Sequence, residues 1–415
     1  MIFILVAIAF VIPGIPIAVT AILASLSMVI VGILTPSEAL SFFGNDTVIM
    51  IAGASVIANA IFETGLASKL GKGIVRWKWA VRNERNFLAV MFMVTAALSS
   101  VMGNVPVLAI MFPVASAVVS ESEGRIQRKS LYMAMAIASG LGGNVTLAGS
   151  SMNMLAQGIL QSTEGVESLG FFTLTRGAVP SILISLLYFI TVGNMLQRKV
   201  FNFSDNDGTP ESEHREFRKD KAIITAVCFC LCIAGFIAGI WSIGMTSLLA
   251  ATVCILTGCI SFKTAMQKMD WTTICVLAGA LGFAGGVNTS GAGAILAEKA
   301  LGLFGGSEAN PYVVVFMIVL IGGLFTNVMQ NNAVVAILLP IAITMSQTMS
   351  VNSLPFVAAV IYSASFAFAT PIGTAPMTMS LSAGYRFMDY IKIGGLCELL
   401  AILVTGLCIP LFYPF

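Results

Sequence analysis

Two stretches decide the fold of this chain: SSVMGNVPVLAIMFP at residues 99–113 and TNVMQNNAVVAILLP at residues 326–340. Asn104 and Asn331 stand 227 positions apart, each with a hydroxyl residue five places before it (Ser99, Thr326) and a proline nine places after it (Pro113, Pro340). Working outward, Ser139 pairs with Ser363 and Gly149 with Gly373, both at an offset of 224. Toward the other end, adding 226 carries Thr20 to Thr246, Leu23 to Leu249, Gly32 to Gly258, Thr47 to Thr273, Gly53 to Gly279 and Gly65 to Gly291. A small drift with the order kept is the mark of a duplicated unit carrying short insertions and deletions.

The surroundings of these stretches are apolar almost without relief. Of 415 residues, 58% are apolar and 10% charged, and the mean hydropathy is +0.96. A soluble domain carries about 25% charge, so this chain belongs in lipid. A membrane span needs about 20 apolar residues, and runs near 15–34, 46–64, 171–196, 222–240, 244–261, 271–289 and 388–413 supply them. Residues 1–12 read as a further short span, since no basic head or small-residue cleavage site marks a signal peptide. Runs 88–117, 130–160, 311–345 and 352–380 are apolar yet broken by Gly, Asn, Ser and Pro. Backbone broken at membrane depth is tolerated only where it lines a cavity or is buried in protein. The expected fold is all-α and integral to the membrane, with about ten spans plus two re-entrant hairpins and broken helices.

The longest polar stretch, 198–221, reads as a solvated linker because its acids and bases are mixed. It separates a first repeat, 1–197, with its hairpin at 88–117, from a second, 222–415, with its hairpin at 311–345. Placing the Lys/Arg-rich segment 66–85 on the cytoplasmic side puts all of the 21 basic residues inside except Arg176 and Lys299. That bias points to repeats of inverted topology, the transporter plan with its site at the repeat interface.

At the breaks, GLGGNVTLAGSSMN (140–153) and SASFAFATPIGTAPM (363–377) join the two opening stretches in offering short side-chain oxygens, Asn amides and glycine-freed carbonyls. Neutral oxygens at broken helices suit a dehydrated Na⁺, and facing helix N-termini favour an anion. GLGGN is no phosphate loop, because no Gly-Lys-Ser/Thr follows. Enzyme chemistry lacks its parts: the one histidine, His214, lies in the polar linker, and the eight cysteines form no CxxC pair and read as buried small hydrophobes. A net charge of +2 gives no footprint for nucleic acid, and no organic cofactor is expected. Glu63 and Glu398 are the acids nearest the membrane interior. Glu63 sits at a span end and reads as a cap, and Glu398 falls outside both motif pairs, in the scaffold.

These residues resemble the divalent-anion:sodium symporters, the INDY-like dicarboxylate carriers of the ion-transporter superfamily, over nearly the whole chain. In that family each hairpin tip carries Ser-Asn-Thr and each following broken span a Thr-Pro-Pro-like turn. Here the tips read Gly103-Asn104-Val105 and Gln330-Asn331-Asn332, and the turns Ser150-Ser151-Met152 and Thr374-Ala375-Pro376. The resemblance implies one sodium site from Ser99, Asn104 and carbonyls near Gly149, and another from Thr326, Asn331 and carbonyls near Gly373. It implies a small anionic substrate, a dicarboxylate, between the tips against Asn104, Val105, Asn331, Asn332 and Thr374, with Ser150 nearby. It further implies a homodimer in a bacterial inner membrane that works as an elevator, with segments 66–82 and 292–305 as interfacial arms and both termini outside. A proton-coupled or uncoupled oxyanion carrier of the same superfamily is the alternative reading.

Overall fold

A backbone in lipid must satisfy its own hydrogen bonds, which leaves helices as the economical answer for apolar runs of this length. The computed structural model describes residues 5, 6, 9, 15–66, 82–122, 125–163, 165–201, 217–302 and 305–415, and every regular element among them is helical. In the first half these are α1 (Ile17–Ile30), α2 (Pro36–Ser41), α3 (Asp46–Glu63), α4 (Glu84–Ser99), α5 (Asn104–Glu121), α6 (Arg128–Gly142), α7 (Ser151–Gln161), α8 (Thr175–Ile190) and α9 (Val192–Val200). The second half holds α10 (Lys219–Ala238), α11 (Ile243–Leu256), α12 (Phe262–Lys268), α13 (Trp271–Thr289), α14 (Ala292–Gly302), α15 (Pro311–Thr326), α16 (Asn331–Thr348), α17 (Leu354–Ala364), α18 (Ala375–Ser380) and α19 (Phe387–Phe412).

The repeat offsets reappear as local structure. Thr35 caps α2 and Ser261 caps α12, 226 positions on; Asn83 caps α4 and Asn310 caps α15, 227 positions on. Gly32 and Gly258 follow α1 and α11 with φ of 75° and 68°, the left-handed conformation that ends a helix cheaply only at glycine. The packing is reciprocal between halves: α1 lies against α13, the counterpart of α3, while α3 lies against α11, the counterpart of α1. Gly53 and Gly279 permit the approach. A Cβ on Gly53 would stand 2.6 Å from the Ser247 carbonyl carbon, and one on Gly279 2.4 Å from that of Ala21, 226 positions before Ser247.

Two packed groups result. One gathers α1–α3 and α10–α13; the other gathers α4–α9 and α15–α19, where α4 and α5 pack on α6, and α15 and α16 on α17. They meet where α7 and α16 lie against α13, and α7 against α3.

Several expectations are revised. The run 171–196 is not one straight span: α8 stops at Ile190, and α9 leaves it at 50°. The polar stretch 198–221 is anchored at both described ends. Arg198 pairs with Glu84 at 3.1 Å, and the Arg218 guanidinium donates to the Glu63 and Cys259 carbonyls at 3.2 and 2.9 Å. Cations there meet the exposed carbonyls of helix C-termini. Cys230 is exposed, against the expectation that the cysteines are buried, while Cys228, Cys232, Cys254, Cys259 and Cys397 are buried. Most of the short span expected at 1–12, the arm at 67–81 and His214 lie outside the described residues.

Candidate functional site

The same small nest of oxygens is built twice. In the first half α4 ends at Ser99 and, after a four-residue tip, α5 begins at Asn104. Ser99 Oγ lies 2.8 Å from Asn104 Oδ1 and 2.7 Å from the Ser139 carbonyl oxygen. In the second half Thr326 Oγ1 lies 2.9 Å from Asn331 Oδ1 and 2.7 Å from the Ala364 carbonyl oxygen. Ser99 and Thr326 are both fully buried.

Gly149 and Gly373 close the nests, and each is glycine for want of room. A Cβ on Gly149 would stand 2.5 Å from the Gly143 carbonyl oxygen and 3.0 Å from that of Ser99; one on Gly373 would stand 2.6 Å from the Thr326 carbonyl oxygen. At Gly143 the point a Cβ would occupy is 2.7 Å from Asn104 Oδ1, 3.1 Å from the Gly149 carbonyl oxygen and 3.3 Å from that of Gly140. Oxygens converging on a point too tight for a carbon are the kind of setting that suits a small dehydrated cation.

Thr146 and Thr370, 224 apart, complete the correspondence, and sequence reasoning passed over them. The Thr146 hydroxyl donates to the Ser100 carbonyl, and the Thr370 hydroxyl donates to the Asn327 carbonyl at 2.8 Å. Each ties its break to the neighbouring tip. Their shared offset with Gly149 and Gly373 was the available signal.

The expected substrate residues are brought together only in part. The two halves meet here: Ser151 of the first break donates to Asn332 Oδ1 of the second tip at 3.1 Å, and Asn144 Nδ2 donates to Ser365 Oγ, break to break, at 2.7 Å. Val105 is exposed, and Thr374 caps α18 through a 3.4 Å bond from the Met377 N–H. The helices α5, α16 and α7 start at Asn104, Asn331 and Ser151 without a side-chain cap, and an uncapped helix start is where an anion is favoured. A cavity of about 220 Å³ reaches Met102, Gly103 and Ala148–Ser151 from Lys268 and Asp270, walled by α3 and by Phe229, Cys232 and Phe236 of α10. It lies beside the first tip, and Ser150 is the one expected substrate residue in its wall.

Glu398 is a correction. It does not stand apart in the scaffold but reaches the second break, where the N–H groups of Phe368 and Ala369 donate to its Oε2 at 3.1 and 2.9 Å. Glu63 is the last residue of α3 and pairs with Lys268 at 3.0 Å.

An all-helical membrane protein with paired breaks, neutral oxygen nests and uncapped helix starts is a transporter. The sequence profile of the family described as "Citrate transporter" (CitMHS) matches residues 3–360, and the chain belongs to that family. Relatives agree. An uncharacterized transporter of Haemophilus influenzae is 24% identical, the alignment covering 94% of this chain and 86% of that one. The sodium-dependent high-affinity dicarboxylate transporter 3 of Caenorhabditis elegans is 22% identical over 94% of this chain and 79% of its own length. The sodium-dependent dicarboxylate transporter SdcS of Staphylococcus aureus is 23% identical over 89% and 77%. Among solved structures, the YdaH transporter of Alcanivorax borkumensis superposes with a TM-score of 0.65 at 13% identity, covering 91% of this chain and 87% of that one. MtrF of Neisseria gonorrhoeae gives 0.62 at 13% identity, over 90% and 82%. Family and neighbours are transporters, not enzymes, and the protein is a multi-pass membrane protein.

Proposed function

We propose that this transporter carries a small polycarboxylate, a dicarboxylate in the first instance, across a bacterial inner membrane together with Na⁺. The observation that carries this reading is the recurrence of the nest: hydroxyl, Asn amide oxygen and break carbonyl at Ser99, Asn104 and Ser139, and again at Thr326, Asn331 and Ala364. A cation held there neutralises the tips and lets the adjoining helix N-termini accept an anion without Arg or Lys. The names of the nematode and staphylococcal relatives support sodium and a dicarboxylate, and the family description places citrate on the same panel.

The reciprocal contacts of α1 with α13 and α3 with α11 support two inverted repeats, 1–197 and 222–415, joined by 198–221. With 262–270 on the cytoplasmic side, the cavity from Lys268 to Ser150 is an inward-facing entrance. The group holding both tips then moves as an elevator past the group of α1–α3 and α10–α13, in a homodimer.

The test is thermal unfolding of purified protein in Na⁺ or choline, against dicarboxylates, citrate and inorganic oxyanions. A ligand of the folded state raises the melting temperature by mass action. One carboxylate stabilising only in Na⁺ is the expected result. Equal stabilisation in both salts overturns sodium coupling, and stabilisation by an oxyanion alone overturns the substrate class.

A further inference from the structure

The two halves match at the nests but not behind them. Behind the first nest the bracing group is neutral: Asn153 Nδ2 donates to the Gly143 and Thr146 carbonyls, both at 2.8 Å. Behind the second stands a carboxylate. Glu398, only 3% exposed, accepts from Asn327 Nδ2 at 2.5 Å through Oε1 and from the Phe368 and Ala369 N–H groups through Oε2. Asn327 directly follows Thr326, and Asn327 Oδ1 accepts from the Ala369 N–H at 3.2 Å. The carboxylate therefore grips both walls of the second nest, the tip through Asn327 and the break through residues 368 and 369. At Gly394, one turn before Glu398, a Cβ would overlap the Phe368 carbonyl, so the α19 backbone itself lies on the break.

The matching positions of the first half hold no such pair. Subtracting the local offset of 224 from 398 gives Leu174, and subtracting 227 from 327 gives Ser100. Every partner of Glu398 among the described residues is a neutral N–H donor. A carboxylate removed from water without a countercharge is costly, and hydrogen bonds offset only part of that. A cation in the adjoining nest would supply the rest.

We infer that Glu398 is the positioning residue of the second cation nest: it orients Asn327 and the 368–369 backbone and lends that nest a negative charge which the first nest lacks. The inference rests on the sodium reading above and deepens it. The nests are then unequal, the second filling at lower Na⁺ concentration and the first carrying the weaker step. A group acting behind the ligands in this way commonly changes ion affinity by about 10–100-fold.

The experiment is Na⁺ titration of thermal stability, with choline holding ionic strength constant, on wild type, Glu398→Gln, Ser99→Ala, Thr326→Ala and the two double variants that combine Glu398→Gln with each alanine. The expected result is a rise of about tenfold or more in the half-saturating Na⁺ of Glu398→Gln. That loss should be non-additive with Thr326→Ala and additive with Ser99→Ala, since coupling energy appears only between sites that share partners. A purely structural Glu398 would lower the melting temperature in choline and leave the Na⁺ midpoint in place, and that outcome overturns the inference. Equal coupling to both alanines overturns it as well. Should Glu398→Gln fail to fold, Asn327→Ser, which removes the carboxylate's link to the tip, is titrated in its place with the same expectation. A wild type without any Na⁺ response is a different failure: it removes the sodium reading itself.

Discussion

Asn104 and Asn331 are each the first residue of a helix, and the Oδ1 of each lies in a nest, so on the sodium proposal one side chain would connect helix start to ion chemistry. Removing that oxygen should raise the half-saturating Na⁺ for uptake by about tenfold or more in Asn104→Ala and Asn331→Ala alike, the scale of one hydrogen-bond partner lost to a charged group. Uptake into proteoliposomes across a Na⁺ series reads this directly; unchanged Na⁺ affinity in both variants removes the site assignment. Gly149 makes a sharper prediction. Gly149→Ala forces a Cβ into the carbonyls of Gly143, Ser100 and Ser99, with separations from 2.5 to 3.0 Å, and should destabilise the protein by about 3 kcal/mol. Gly103→Ala serves as its control, because there the nearest heavy atom is 3.6 Å away and the change should stay within about 0.5 kcal/mol. Thermal unfolding of the two variants in detergent decides between them.

Among the elements, Thr35, Asn45, Asn83, Ser242, Ser261, Asp270, Asn310 and Thr374 cap their helices with side-chain oxygens, whereas α5, α7 and α16 start without a side-chain cap, as do α1, α6, α8, α9, α10 and α17. At the C-terminal ends of α3 and α11, Arg218 and Lys221 satisfy carbonyls of Glu63 and Thr257. Arg218→Ala should cost about 1–2 kcal/mol, since it strips a cation from two carbonyls, while the exposed Lys219→Ala should stay within about 0.5 kcal/mol. Equal melting temperatures for the two would show that the edge of the polar stretch bears no structural weight. The bend at Thr191 was not legible in the sequence, because no proline stands beside it.

Over the whole molecule, α7 and α16 meet α13, and α7 meets α3, where the two packed groups touch. If the tip-bearing group slides, cysteine pairs placed across the α3–α7 contact in a background free of native cysteines should cross-link to a different extent with Na⁺ and substrate than without. Pairs across α1–α13, which lie within one group, should not change. A cross-linking pattern indifferent to ligand at both contacts would leave the elevator reading without support.

What the sequence determined alone follows from short-range rules. Hydropathy over twenty residues dictates helices in lipid, the offsets of 224 to 227 pair residues of the two halves, and the pairing of Ser99 with Asn104 and Thr326 with Asn331 is readable because five residues separate each pair and a helix break lies between. The tertiary structure decided whatever depends on chains far apart in sequence. The cavity beside the first tip needed α10 folded across from α3, and the Ser151–Asn332 contact joined halves 181 positions apart. Glu398 looked like a lone acid in an apolar span because nothing within its own helix can satisfy it. Its partners, Asn327, Phe368 and Ala369, lie 29 to 71 residues away, and a buried carboxylate is explained only by the donors that folding brings to it.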